Sequence, residues 1–141
     1  MKMKSLQFYS PLNVKFEETE ISNPKDEEVQ VKIMAALTCG TDVKTYRRGH
    51  PVLIKKTPSP FGHEFSGIIS KVGKGVTGFH EGDRVVAANS APCCECFYCK
   101  RENYNLCENL EFLNGAYAEY INIPAAIVKR NLLHLPDDLS F

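Results

Sequence analysis

The sequence predicts a mainly β domain, built as a barrel or a distorted sandwich around one core. Apolar and polar residues alternate in several short runs, which is the pattern of half-buried strands. Glycine, proline and asparagine separate these runs. Short strands with irregular connections favour a barrel or sandwich, because either arrangement reduces the exposed sheet edge. A length of 141 residues with 43% hydrophobic content is sufficient for one domain with one core.

Six runs carry the strand pattern in chain order, and one segment carries a helical one. The helix is predicted to start near Thr41, where Thr41 or Asp42 can cap it, and to end before Gly49. A connector is predicted at the end of the chain, since the sequence at 136–138 is Pro-Asp-Asp. The strand runs are those at Leu6 and Phe8, at Val14 and Phe16, at Val29, Val31 and Ile33, and in 65–72, 84–88 and 117–123.

Charge and hydropathy exclude several classes of function. Lys+Arg and Asp+Glu are both 17, so the formal net charge is zero, and no basic run indicates nucleic acid as a partner. No apolar run approaches the roughly 20 residues of a membrane span, and the N-terminus lacks the apolar stretch of a signal peptide. We therefore expect a soluble cytoplasmic protein that starts at Met1 and binds no membrane. An oligomer remains possible.

Four cysteines have the spacing of a closed zinc site. A CxxCxxC run is followed, after seven more residues, by a fourth cysteine, so that one loop at about 90–110 can surround a tetrahedral ion. Four protein ligands leave no position for a substrate, and the predicted role is therefore structural. The predicted ligands are Cys93, Cys96, Cys99 and Cys107.

Other interpretations of these cysteines are less favoured. A ferredoxin-type iron–sulfur cluster would place its fourth cysteine after three residues and before proline, whereas the gap here is seven and Glu108 follows. Disulfides or plain buried thiols are the remaining alternatives, in a chain without secretory features. Cys94 is interpreted as a non-ligand, because only one residue separates it from Cys96.

A second group of potential ligands lies on two separate segments. Cys39 precedes the predicted helix, whose N-terminus favours the thiolate form, and His63-Glu64 stands at the entrance of a strand. Two or three protein ligands would leave a coordination position open, as in catalytic zinc sites. Asp42 could orient the His63 ring, and Thr41 could carry a proton away.

Each of these side chains also has an ordinary structural interpretation. Taken alone, Cys39 is typical of a small buried residue, and His63 of a core or surface histidine. The other three histidines, His50, His80 and His134, are interpreted as structural or exposed. The pattern GxGxxG at 73–78 is interpreted as a hairpin and not as a nucleotide-binding turn, because a strand-like run follows it instead of a helix.

At this point the motifs resemble those of a known family. Gly62-His63-Glu64 with Gly67, Gly73 and Val76 is similar to the zinc signature of medium-chain alcohol dehydrogenases. The segments at 39–42 and 82–85 and the four-cysteine loop resemble further motifs of that family. The resemblance implies a GroES-like catalytic domain over 1–141, a partly open β-barrel with a few short helices. It also implies a catalytic zinc on Cys39, His63 and Glu64, with Thr41 and Asp42 as catalytic residues.

The same resemblance implies a function for the full-length enzyme, leaning toward the polyol and threonine dehydrogenases. A small alcohol or polyol, held on zinc as an alkoxide, would give a hydride to NAD(P) on a C-terminal Rossmann domain. That domain and a further zinc ligand would lie beyond residue 141, so we expect no alcohol turnover by the isolated chain. Lys44 replaces the family's relay histidine. The alternative is a non-catalytic zinc-stabilised module, and a zinc-free quinone-reductase relative is disfavoured by both metal motifs.

Overall fold

A computed structural model describes residues 2–141 as a mainly β fold with two α-helices. The helices are α1 (Gly40–Arg48) and α2 (Ala125–Asn131), and short 3₁₀ turns occupy Cys99–Arg101 and Tyr104–Leu106. The strands are β1 (Lys2–Ser10), β2 (Asn13–Glu20), β3 (Val29–Leu37), β4 (Ser59–Pro60), β5 (Glu64–Val72), β6 (Arg84–Ala87), β7 (Ser90–Ala91), β8 (Glu111–Phe112), β9 (Tyr120–Ile123) and β10 (Leu132–His134).

The strands form three sheets around one apolar core. Five strands pair in the order β10-β6-β5-β3-β9, three in the order β2-β1-β4, and β7 pairs with β8. Within residues 2–141 no sheet closes on itself, which agrees with the partly open arrangement. The predicted mainly β class is confirmed. The largest fully buried apolar side chains are Phe8, Val29, Val31, Ile69, Val85, Ile123 and Ile127.

All six predicted strand runs contain strands. The run at 117–123 becomes a regular strand only at Tyr120, because Tyr117 is engaged elsewhere: its N–H donates to the Phe61 carbonyl at 2.9 Å. The pattern GxGxxG connects the antiparallel strands β5 and β6, so the hairpin prediction is confirmed. Gly67 of β5 lies directly against Lys32 of the neighbouring strand β3, and a Cβ at position 67 would collide with the Lys32 carbonyl.

The two helices depart from the prediction in different ways. The expected cap at Thr41 or Asp42 is wrong, because Cys39 is the N-cap and both residues lie inside α1. Helix α2 was not predicted, since its short apolar sequence directly after a strand has no clear helical period. No helix in the described part of the chain is both long and apolar enough to cross a membrane.

The last residues, predicted as a connector, are held by the side chain of Arg84. Its guanidinium donates to the carbonyls of Pro136 at 3.1 Å and Asp137 at 3.2 Å, and also to that of Leu139. The same group lies 4.5 Å from the ring centre of Phe141. Arg84 therefore determines where the chain leaves the sheet.

Two candidate metal centres

The four predicted cysteine ligands come together in one cluster. The sulfur atoms of Cys93, Cys96, Cys99 and Cys107 all lie within 4.8 Å of one another. Cys93 Sγ is 4.0 Å from Cys99 Sγ and 3.5 Å from Cys107 Sγ. Zinc–sulfur bonds of about 2.3 Å in a tetrahedron place sulfurs about 3.8 Å apart. The cluster therefore has the size that a zinc ion requires.

Backbone amides already prepare this cluster for anionic sulfur. The N–H groups of Cys93 and Asn109 donate to Cys107 Sγ at 3.3 Å and 3.4 Å. Hydrogen bonds from the backbone of Cys99, and then of Glu108, lower the pKa of Cys96 from 9.0 to about 6. Burial raises the pKa of Cys99 to about 12. The backbone hydrogen bonds thus favour the thiolate of Cys96, whereas burial disfavours that of Cys99.

The neighbouring groups of the lobe do not join this cluster. Cys94 has a left-handed backbone, with φ of 61°, and its thiol lies 3.7 Å from the Pro92 carbonyl oxygen. The Arg101 guanidinium lies 3.6 Å from the ring centre of Phe97 and donates to that residue's carbonyl.

A second cluster joins two segments that are far apart in sequence. Cys39 Sγ lies 3.3 Å from His63 Nε2, and a Glu64 carboxylate oxygen completes a set of three atoms within 4.8 Å of one another. Tetrahedral zinc places sulfur and nitrogen ligands about 3.6 Å apart. These donors therefore also fit a zinc ion, with a position left open.

Helix α1 and the residues before β5 position these donors. Cys39 caps α1 and accepts a hydrogen bond from Thr41 N–H at 3.3 Å. Asp42 completes the capping box: its Oδ2 accepts from Cys39 N–H at 2.9 Å. The other oxygen of Asp42 lies 3.2 Å from His63 Nδ1, close but not aligned for a linear hydrogen bond. Asp42 therefore contacts both a cysteine and a histidine of the cluster.

The second cluster borders a cavity. This cavity has a volume of about 580 Å³, and His63 and Glu64 form part of its wall. Most of the remaining wall is apolar, and Phe141 reaches it from the end of the chain. A small organic molecule could therefore contact the cluster directly. The four-cysteine cluster does not border this cavity.

Tyr117 is a residue of this region that the sequence did not indicate. Its hydroxyl oxygen lies 2.9 Å from both the Leu37 carbonyl oxygen and Thr38 Oγ1, directly before Cys39. Burial raises the pKa of Tyr117 to about 12, and the negative charge of Asp42 contributes to this rise. Nothing in the local sequence connects these positions, since the contact spans 80 residues.

The other histidines stay apart from both clusters. His50 accepts hydrogen bonds from the N–H groups of Val52 and Leu53 and shapes its own loop. His80 and His134 are exposed beside Asp83, and His134 stacks on Phe79. They agree with the structural or exposed roles expected for them.

These features agree with the class of protein that the sequence motifs resemble. The closed cysteine cluster has the arrangement of a structural zinc site, and the open cluster beside a cavity has that of a catalytic one. The sequence profile of the alcohol dehydrogenase GroES-like domain matches residues 25–137, and the chain belongs to this family.

The individual relatives are named as dehydrogenases. The chain is 38% identical to a sorbitol dehydrogenase of Halalkalibacterium halodurans, covering 83% of this chain and 34% of that protein. It is 33% identical to an L-threonine 3-dehydrogenase of Pyrococcus furiosus, with coverages of 87% and 37%. A crystal structure of an alcohol dehydrogenase from E. coli CFT073, complexed with NADH, superposes with a TM-score of 0.84 at 33% identity, covering 99% of this chain and 40% of that one. The chain spans well under half the length of each.

Proposed function

We propose that this chain is the zinc-binding catalytic domain of an NAD(P)-dependent dehydrogenase acting on a small alcohol or polyol. The observation that carries the proposal is the convergence of Cys39, His63 and Glu64 in one cluster, two members of which, His63 and Glu64, lie on the wall of the cavity. A closed cluster alone would stabilise the fold, whereas donors that border a cavity can act on a bound molecule. In this proposal the four-cysteine cluster holds a structural zinc ion.

The residues of the open cluster divide the work between them. A zinc ion bound there would act as a Lewis acid on an alcohol oxygen. Asp42 holds the Cys39 amide and the His63 ring in place, so that both donors face the same point. Thr41 lies in the first turn of α1, two residues after Cys39, and its hydroxyl would relay the alcohol proton, accepting it at oxygen while it passes its own proton to solvent.

The substrate and cofactor classes are proposed from the relatives and the cavity. The similar proteins are named for sorbitol and threonine, and one solved relative holds NADH. The cavity wall includes Glu64, Ser66 and Asn89 among its apolar residues, so it can offer hydrogen-bond partners to a small hydroxylated molecule. We propose that NAD(P) binds a Rossmann domain that follows this domain in the full-length enzyme. Residues 73–78, the GxGxxG segment, form a hairpin and so supply no dinucleotide site.

The test is the zinc content of the 141-residue chain and of its Cys39→Ser variant. Serine is itself a preferred N-cap, so the substitution removes the thiolate while keeping the helix cap. We expect two zinc ions in the parent chain and one in the variant, with the same circular dichroism spectrum. Metal analysis on the purified proteins gives both numbers.

Two outcomes would count against the proposal. One zinc ion per chain, retained in Cys39→Ser, would support a non-catalytic zinc-stabilised module instead. Oxidation of an alcohol with NAD(P) by the 141-residue chain alone would contradict the proposed division of labour between two domains.

A further inference from the structure

Tyr117 connects two parts of the chain that each carry a ligand of the open cluster. On one side its hydroxyl bonds to the Leu37 carbonyl and to Thr38, both at 2.9 Å. Cys39 is the next residue along the chain. The position of the Cys39 thiol is thus linked to the Tyr117 side chain through one peptide unit.

On its other side Tyr117 holds the segment before His63. Its ring packs directly on Gly62, where a Cβ would come within 2.6 Å of the ring. Gly62 also has a φ of 87°, which other residues rarely adopt. The amides of Gly115 and Ala116 donate to the Gly62 carbonyl at 2.6 Å and 2.9 Å. The strand entry that carries His63 is therefore fixed against the 115–117 segment.

The ring of Tyr117 is half-buried and is held by contacts with neighbouring residues. It meets the ring of Phe61 edge-to-face, with centroids 5.6 Å apart, and Phe61 in turn contacts Phe8. The Tyr117 carbonyl accepts a hydrogen bond from Leu6 N–H at 2.7 Å. Since the ring is fixed in this way, the direction of its hydroxyl is fixed as well.

We propose that Tyr117 is a positioning residue that sets the distance between Cys39 and His63, and thereby the metal affinity of the open cluster. This inference rests on the proposed function of that cluster as a zinc site. A metal site whose ligands lie on separate segments binds more weakly when either segment can shift, because part of the binding free energy is then spent on ordering the segments. The hydroxyl is the part of Tyr117 that reaches the Cys39 segment, so removing it should loosen that segment alone.

The test is a cobalt(II) titration of the metal-free 141-residue chain and of its Tyr117→Phe variant. Phenylalanine keeps the ring against Gly62 and removes only the hydroxyl. Thiolate-to-cobalt absorption reports both clusters, and a Cys39→Ser background isolates the contribution of the closed one. We expect the open cluster to bind about 10-fold more weakly in Tyr117→Phe, with the closed cluster unchanged.

Two further variants make the result specific. Tyr120→Phe is the matched control, because Tyr120 lies in β9 opposite Lys32 and removal of its hydroxyl should leave both affinities unchanged. Thr38→Val removes the other partner of the hydroxyl, and should weaken the open cluster by a smaller factor. In the double variant the two losses should not add, because both act on one contact.

The outcomes separate this inference from the proposed function. Two bound ions in the parent chain and an unchanged affinity in Tyr117→Phe would overturn the role of Tyr117 alone. A parent chain that binds only one ion, in the four-cysteine cluster, would overturn both proposals. A lower melting temperature of metal-free Tyr117→Phe with unchanged cobalt affinity would assign the hydroxyl a purely structural role and also overturn the inference.

Discussion

The two candidate metal centres differ in what brings their ligands together. All four cysteines of the closed cluster lie between Cys93 and Cys107, on a loop with short 3₁₀ turns and few buried apolar side chains. Cys39 and His63 are 24 residues apart and are positioned by a helix cap and a strand entry. Elements of the main fold hold the open cluster in place, whereas the lobe at 90–110 has few apolar contacts of its own and gains most of its stability when it binds metal. We therefore expect changes at the four-cysteine cluster to alter mainly the free energy of unfolding, and changes at the open cluster to alter mainly metal binding.

The largest effect should come from Cys107→Ser. The variant loses one of four ligands and leaves the lobe without a closed coordination shell, so the free energy of unfolding of the zinc-loaded chain should fall by about 4 kcal/mol or more. Thermal unfolding and limited proteolysis of the lobe measure the loss. Cys94→Ser is the control, since its thiol lies outside the cluster, and should melt like the parent. A Cys107→Ser chain that stays folded and zinc-replete would refute the assignment.

A second comparison concerns two cysteines of the closed cluster, Cys96 and Cys99, which should differ in how fast they are alkylated. At pH 7 a pKa of about 6 for Cys96 and of about 12 for Cys99 makes the thiolate fractions differ by about 10⁵. A thiolate of low pKa is also a weaker nucleophile, which lowers the predicted ratio of alkylation rates by about 10³. Cys96 should therefore be alkylated about 100-fold faster than Cys99.

Iodoacetamide labelling of the metal-free chain, followed by peptide mass spectrometry, checks the ratio. The pH dependence has a definite sign: labelling of Cys96 should slow only as the pH falls toward about 6, whereas labelling of Cys99 should keep accelerating as the pH rises above 7. Zinc should protect both. Equal labelling of the two cysteines at pH 7 would show that the backbone amides do not prepare the cluster for its metal.

The next effect belongs to the open cluster and tests Asp42. Asp42→Asn keeps an oxygen to accept from the Cys39 amide but removes the charge beside His63 Nδ1, so cobalt affinity at this cluster should fall by about 10- to 100-fold. The closed cluster should bind as before. Asp83→Asn, which removes a carboxylate beside the exposed His80, is the matched control and should change neither affinity. An equal loss at both clusters would mean that Asp42 acts through the whole fold.

The same contrast explains what the sequence could predict. The four cysteines were identifiable because their spacing is local, and the β class because alternation is local. His63 and Glu64 stood out through a resemblance in motif, not through periodicity. The role of Tyr117 depends on a contact across 80 residues, which no local pattern encodes. Cys39 was missed as a cap because a thiol is not among the usual capping side chains, whereas the hydroxyl of Thr41, two residues further on, is.

The smallest effect concerns α1, the helix that carries the open cluster. Thr45 is buried, and its hydroxyl has no hydrogen-bond partner in the described structure. Because burying an unpaired hydroxyl costs free energy and valine has a similar shape and helix propensity, Thr45→Val should raise the free energy of unfolding by about 1 kcal/mol. Thr77→Val, at an exposed loop position, is the control and should stay within about 0.5 kcal/mol of the parent. Chemical denaturation measures both. Destabilisation by Thr45→Val would mean that an ordered water satisfies the hydroxyl, and that α1 is held by polar contacts as well as by packing.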